Sequence, residues 1–198
     1  MSKLQNFPFD AIAERGSIRE ADADELRRAV YNDGGISVDE AERLIALNSA
    51  CPVQTADWSD LFREALTDFI VTQSEPKGYI TQENADWLIS RLAPDGFVKS
   101  RKELDLIVHI IDTARWSPAV LVAFALAQVS HAVRTGQGPL RSNNQSATID
   151  DDEVELVRRV IYAFGGDGNV AITRAEAEML CDINDSLDSE TVNLAWIE

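Results

Sequence analysis

The sequence contains little cysteine and no long apolar run. Its two cysteines, Cys51 and Cys181, are too few and too poorly matched for a disulfide framework, which favours a reducing compartment. No stretch approaches the ~18 uninterrupted apolar residues of a transmembrane helix. The first residues, MSKLQNFPFDAIAERGS, lack the apolar core of a signal peptide. The sequence therefore predicts a cytoplasmic protein with no membrane span.

Basic residues are also scarce. Lys and Arg number 18 against 34 Asp and Glu, which gives a formal net charge of -16. Such a charge repels phosphate backbones, so nucleic acid is not an expected partner. A basic protein or cations would be attracted, although solubility alone also explains an acidic surface. Hydrophobic residues make up 45% of the chain, which is typical of a globular protein with a core.

Motifs for nucleophilic catalysis are absent from the sequence. It contains no Gly-x-Ser-x-Gly, and neither cysteine has a histidine nearby in the chain. The glycine-rich segment GGDGN at 165–169 lacks the Gly-Lys-Ser/Thr ending of a phosphate-binding loop. An enzymatic function is therefore not favoured, and an enzyme with an acidic cleft is kept as an alternative without named catalytic residues.

The sequence does contain an internal repeat. The segment NDGGISVDEAERLIALNSA at 32–50 returns as VAITRAEAEMLCDINDS at 170–186, and IREADADELRRAVY at 18–31 matches IDDDEVELVRRVIY at 149–162. Repeats of this kind predict a fold built from similar structural units. The first alignment contains six identical pairs: Ile36/Ile172, Glu40/Glu176, Ala41/Ala177, Glu42/Glu178, Leu44/Leu180 and Asn48/Asn184.

Helix-start signals divide the chain into helices. Capping boxes are indicated at Ser37/Glu40, Asp150/Glu153 and Thr173/Glu176, and Ser17/Glu20 and Ser100/Glu103 offer the same pair shifted by a residue or two. No alternating apolar and polar run predicts a strand longer than a bridge. Apolar spacing and caps predict helices near residue 10 and over residues 19–31, 37–50, 57–71, 81–92, 101–114 and 117–133.

These patterns predict an all-α fold made of a tandem repeat of helix pairs. Residues 1–134 form the first copy with an extra helix pair, 135–148 a polar linker, and 149–198 the second copy. Trp196 matches Trp58, but the long apolar helix that Trp58 opens has no counterpart before Glu198. We expect the second copy to be incomplete through truncation, and its apolar stripe to bury against the first copy or another chain.

Two acidic turns resemble the second half of an EF-hand loop. In the first, Gly34, Ile36 and Glu40 have the required spacing, with Asp33 as a further ligand. The second is the longer loop that contains Asp167 and Asn169 and ends at Glu176. The candidate ligands for Ca²⁺ or Mg²⁺ are therefore Asp33, Glu40, Asp167, Asn169 and Glu176.

Both turns depart from a complete calcium loop. Calcium takes six to eight oxygen ligands, whereas Gly165 and Val170 stand where an acidic ligand and a glycine are required. Helix capping explains Glu40 and Glu176 without a metal. A transition-metal site is less well supplied, because Asp105, His109 and Asp112 on one helix are typical of surface ion pairs.

At NDGGISVDEAERL the chain resembles the tellurite-resistance TerB-like group and related bacterial all-helical proteins. Asp33, Gly34, Ile36 and Glu40 carry the resemblance, and Asp95, Gly96 and Val98 partly repeat it. It implies a helical bundle and a stress-linked scaffolding or metal-sensing role close to a membrane. Asn32 and Lys102 depart from the acid-lined pattern.

The function that the sequence favours is a non-enzymatic adaptor that binds another protein, which its charge suggests is basic. A homo-oligomer is an open alternative for that partner. The second hypothesis is a module that binds or senses a divalent cation, either TerB-like or of a degenerate EF-hand type.

Overall fold

The chain is predominantly α-helical, as predicted. The structure is a computed structural model that describes Leu4 and residues 7–31, 34–141, 146–164, 172–189 and 192–197. It forms two compact units, Met1–Lys77 and Gly78–Glu198. Across the described residues, no helix is at once long enough and apolar enough to cross a membrane.

The first unit begins with a short helix and continues with three longer ones. Trp58, Leu61 and Phe62 are fully or almost fully buried in its core, and the rings of Trp58 and Phe62 stack with centroids 5.8 Å apart. The strands are two residues long and pair in parallel, Ser17 with Val53 and Ile18 with Gln54. The elements are α1 (Phe9–Arg15), β1 (Ser17–Ile18), α2 (Glu20–Tyr31), α3 (Val38–Ala50), β2 (Val53–Gln54), α4 (Ala56–Thr67) and a π-helix (Asp68–Gln73).

The π-helix differs from the single helix predicted over 57–71. It carries the chain to Gln73, whose side-chain Oε1 accepts a hydrogen bond from the backbone N–H of Ile36 at 2.6 Å. This bond holds the turn that leads into α3. A change from α to π geometry is not visible in apolar spacing, because it depends on such tertiary contacts.

The second unit contains six α-helices within the residues that are described. Its buried side chains come mainly from the apolar faces of the second and third of these helices, including Leu104, Ile107, Leu121 and Leu126. The helices are α5 (Gln82–Leu92), α6 (Arg101–Thr113), α7 (Ala119–Thr135), α8 (Asp151–Phe164), α9 (Arg174–Ser186) and α10 (Leu194–Ile197).

Acidic side chains cap most of the predicted helix starts. Complete capping boxes occur at Ser37/Glu40, Ser100/Glu103 and Thr173/Glu176, and Asp150 and Glu153 exchange the same two bonds at α8. The predicted Ser17/Glu20 box is wrong, since Ser17 lies in β1. There the backbone N–H of Arg19 donates to Asp22 at 2.8 Å instead.

Three helix triplets have a common backbone arrangement. We call α2–α3–α4 the first triplet, α5–α6–α7 the second and α8–α9–α10 the third. In each, an N–H after the second helix donates to a carbonyl before the first helix: Val53 to Gly16 at 3.4 Å, Arg115 to Gly78 at 2.7 Å and Asp188 to Ala147 at 2.9 Å. The recurrence supports the predicted tandem arrangement, and the repeat itself stays a prediction.

The accepting residue of that bond has a left-handed backbone in every triplet. Its φ is 67° at Gly16, 84° at Gly78 and 60° at Ala147. Glycine adopts this conformation without steric cost, whereas the Cβ of alanine meets its own backbone. Ala147 therefore occupies a position that favours glycine.

We expect Ala147→Gly to raise the free energy of unfolding of the second unit by up to about 1 kcal/mol. Relief of the strained backbone outweighs the added freedom of the unfolded chain. The matched variant Gly78→Ala should lower it, because its Cβ would lie 3.3 Å from Cδ of Arg115 at φ 84°. Urea unfolding followed by circular dichroism measures the stability of both variants. Destabilisation by Ala147→Gly would contradict the conclusion that this position favours glycine.

Arg141 lies inside the second unit, although the sequence places it in a linker over 135–148. Its guanidinium donates to the carbonyl of Ala132 at 3.2 Å and to the carbonyl of Thr148 at 2.5 Å. Nη2 also lies 3.1 Å from Oε1 of Glu153, and the two side chains are 5% and 0% exposed. The described part of the segment is thus attached to α7 and α8.

Candidate interaction face

Glu40 and Glu176, two of the predicted cation ligands, act as helix caps. Oε2 of Glu40 accepts from the Ser37 N–H at 2.9 Å, and Oε2 of Glu176 accepts from the Thr173 N–H at 2.8 Å. Both side chains are buried, and they belong to different units. The other predicted ligands, Asp33, Asp167 and Asn169, lie outside the described residues.

The residues that the structure describes contain no group of three or more His, Cys, Asp or Glu side chains placed to hold a metal ion. The cation-binding hypothesis therefore stays a prediction. We expect Thr173→Ala to lower stability by about 1 kcal/mol through loss of the cap, equally in chelator and in Ca²⁺, Mg²⁺ or Zn²⁺. Thermal unfolding at fixed ionic strength tests this. A rise in midpoint with one ion only, lost in Glu176→Gln, would instead support binding at this turn.

The acidic residues around His109 form ion pairs. Asp105 lies 3.9 Å from Arg101 across one turn of α6, and Asp112 accepts a hydrogen bond from Nε of Arg159 at 2.8 Å. These contacts agree with the interpretation as surface pairs. Burial raises the pKa of the Glu153 carboxyl, and this side chain is fully buried.

The third triplet is less covered than the first, although their residues match. Ile36 is 5% exposed and its identical counterpart Ile172 is 50% exposed. Leu44 is fully buried, whereas Leu180 is half-buried. The matched pairs that follow the same trend are Ala41/Ala177, Ile45/Cys181, Asn48/Asn184 and Trp58/Trp196.

The difference follows from the third helix of each triplet. Helix α4 has 12 residues and continues into the π-helix, and α7 has 17, whereas α10 has four, Leu194–Ile197. In the first triplet, α4 packs on both α2 and α3. Among the described residues, α10 covers less of α8 than α4 covers of α2, and the matching surface of the third triplet is more exposed.

We call this surface the open face. Arg158 and Tyr162 lie one turn apart on α8, and Leu180 and Asn184 lie one turn apart on α9, so each pair shares one side of its helix. Helix α10 adds exposed apolar side chains. The open face consists of Arg158, Tyr162, Leu180, Asn184, Trp196 and Ile197, of which Tyr162 and Ile197 are 79% and 67% exposed.

Two polar contacts fix the geometry of the open face. Nε1 of Trp196 donates to Oδ1 of Asn184 at 3.3 Å, as Nε1 of Trp58 donates to Oδ1 of Asn48 at 3.1 Å. Nη2 of Arg158 donates to the carbonyl of Ala195 at 2.7 Å. The sequence repeat predicted the Asn and Trp matches, but it did not identify Tyr162 and Ile197 as exposed.

Arg158 has a different partner from its counterpart in the first triplet. Arg27, at the matching position of α2, forms an ion pair with Glu64 of α4. Burial raises the pKa of the Tyr31 hydroxyl, and the nearby carboxylates of Asp68 and Glu64 raise it further. Carboxylates of α4 and of the π-helix thus lie near Arg27 and Tyr31, which correspond to Arg158 and Tyr162.

An apolar groove of about 740 Å³ lies beside α7 in the second unit. Helix α5 forms one wall, Met179 of α9 adds to the lining, and small side chains such as Ala123 and Ala127 form part of α7's surface. The sequence does not reveal this groove, because Ala123, Phe124 and Ala127 are also typical of a buried helix face. The groove and the open face share α9.

No protein-family model, curated protein or solved structure matches this chain. The resemblance to the TerB-like group accordingly stays a prediction that rests on the short Asp-Gly-x-Ile turn.

Proposed function

We propose that this protein is a non-enzymatic interaction module that binds another polypeptide through the open face. The observation that carries the proposal is the difference in burial between matched residues. Leu44, Asn48 and Trp58 are buried in the first triplet, whereas their counterparts Leu180, Asn184 and Trp196 are half-buried or exposed. Residues of the third triplet that match buried residues of the first triplet, but are themselves exposed, support a role in association.

The composition of the open face resembles the centre of an interface. Tyr, Trp and Arg are enriched among the residues that dominate binding energy, and Tyr162, Trp196 and Arg158 are all present here. Full burial of a large apolar side chain contributes about 1.5–3 kcal/mol. Tyr162 and Ile197, which are mostly exposed, therefore have the most to gain from a partner.

Exposed acidic residues on α9 favour a partner with basic flanks. Asp182 and Asp185 are exposed on α9, and the whole chain carries a net charge of -16. Complementary charge at the rim of an interface raises the association rate more than it raises affinity. The rate of binding should therefore fall as salt is added.

A photo-crosslinking residue in place of Ile197 tests the proposal in the source cells. We expect discrete crosslinked products, identified by mass spectrometry, which diminish when Tyr162→Ser is added. The matched control carries the crosslinker in place of Val53, which is 65% exposed on the first unit. The same products from both positions, or none from position 197, would contradict the proposed function.

A further inference from the structure

We infer that the open face binds an amphipathic helix from another polypeptide, with a carboxylate facing Arg158, in the manner of α4 on α2 and α3. This inference rests on the proposed function and specifies the chemistry of the partner. It starts from the first triplet, where the corresponding surface is covered by a helix of the same chain.

Helix α4 defines the apolar side of such a partner. Its buried stripe contains Trp58, Leu61, Phe62, Ala65 and Leu66 at helical spacing. Trp196 already occupies the place of Trp58 in the third triplet, with the same hydrogen bond to an asparagine. The described residues of α10 do not supply the apolar stripe that follows the tryptophan in α4, which corresponds to Leu61 through Leu66.

The charged contacts define the polar side. In the first triplet Glu64 pairs with Arg27, and Asp68 one turn later lies near Tyr31. In the third triplet Arg158 and Tyr162 stand at the positions of Arg27 and Tyr31. Within the described residues, the guanidinium of Arg158 donates to the backbone carbonyl of Ala195. A partner helix with acidic residues at i and i+4 would supply the two carboxylates.

A second copy of this chain is the competing occupant. Two open faces in contact would offer Arg158 no carboxylate, because a two-fold interface pairs each patch with itself and the open face contains no Asp or Glu. Like charges across an interface are unfavourable. Charge therefore favours a helix that carries carboxylates over self-association.

The experiment uses the 198-residue chain and a labelled synthetic peptide with the sequence of residues 56–73, which contains α4 and the π-helix. Fluorescence anisotropy measures its affinity. We expect saturable binding, weakened more than tenfold by Tyr162→Ser together with Ile197→Ser, which remove two apolar anchors. Amide NMR shifts should change in α8, α9 and α10.

Charge reversal tests the Arg158 contact. Arg158→Glu in the chain should weaken binding about fivefold, as expected for a partly exposed pair. A peptide with Glu64→Arg should recover most of that loss on the Arg158→Glu chain and bind the unchanged chain less well. Since Arg158 is half-buried, thermal unfolding of the variant shows whether the unit remains folded.

Other outcomes would overturn the inference. Binding that is lost in Arg27→Glu but kept in Arg158→Glu would mean that the peptide replaces α4 in the first unit. Dimerisation of the chain that Tyr162→Ser abolishes, seen by analytical ultracentrifugation, would make a second copy the occupant. Absence of peptide binding while position 197 still crosslinks to a partner would reject the helix but retain the proposed function.

Discussion

Arg141→Met should lower the free energy of unfolding of the second unit by about 3–5 kcal/mol near neutral pH. Removal of one member of a buried ion pair leaves the other charge uncompensated, which is among the largest effects of a single substitution. Here Glu153 would remain at 0% exposure without its guanidinium partner. The carbonyls of Ala132 and Thr148 would also lose a donor. Urea unfolding followed by circular dichroism measures the loss.

The loss should be smaller in acid. Burial raises the pKa of Glu153 even in the presence of Arg141, so the folded chain binds this proton at a higher pH than the unfolded chain does. The resulting stabilisation is complete below the unfolded pKa of about 4.3 and is lost as pH rises through the raised folded value. Without Arg141 that folded pKa rises further, and protonation of Glu153 as the pH falls should recover part of the stability.

Two further variants separate the buried pair from ordinary surface charge. Adding Glu153→Gln to Arg141→Met should recover stability near neutral pH, because it removes the unpaired charge while a glutamine can still cap α8. Arg159→Met removes the partly exposed pair with Asp112 and should cost no more than about 1 kcal/mol. Equal losses from Arg141→Met and Arg159→Met would refute the special role of the buried pair.

Trp58→Ala should destabilise the first unit by about 3–5 kcal/mol. The indole is fully buried, stacks on Phe62 and donates to Asn48, so its removal leaves a large cavity and an asparagine with one donor fewer. Trp196→Ala is the matched variant with the same hydrogen bond but a half-buried ring. It should cost about 1 kcal/mol or less.

Chemical denaturation of both tryptophan variants tests this comparison. It uses far-ultraviolet circular dichroism, because the substitutions remove fluorophores. We also expect Trp196→Ala to weaken binding of the residue 56–73 peptide, whereas Trp58→Ala acts on stability. A Trp196→Ala chain as unstable as Trp58→Ala would mean that the third triplet is covered as completely as the first.

Local signals explain why much of the fold could be predicted. Caps such as Ser37/Glu40 and Thr173/Glu176 act within one helical turn, so the residue types and their spacing determine the bonds. The helix bounds consequently agree to within a few residues over most of the chain. The π-helix at Asp68–Gln73 was missed because it depends on a contact with Ile36, far away in sequence.

The candidate site was less predictable because exposure is a tertiary property. The identity of Leu44 and Leu180 indicates that both suit an apolar environment, but it does not tell whether a helix covers them. Burial of Arg141 could not be predicted for the same reason. The polar residues around it in sequence indicate a linker, although its guanidinium is buried against α7 and α8. In each case a partner distant in sequence decides the outcome.

The different burial of the two cysteines makes one of them a selective chemical handle. Cys51 is enclosed, its thiol contacts the carbonyl of Ile12 at 3.5 Å, and burial raises its pKa, so it carries little reactive thiolate. Cys181 is exposed on α9, one residue after Leu180. A maleimide dye should therefore attach at Cys181 alone in the folded chain, where its emission would report directly on whether the neighbouring surface is occupied.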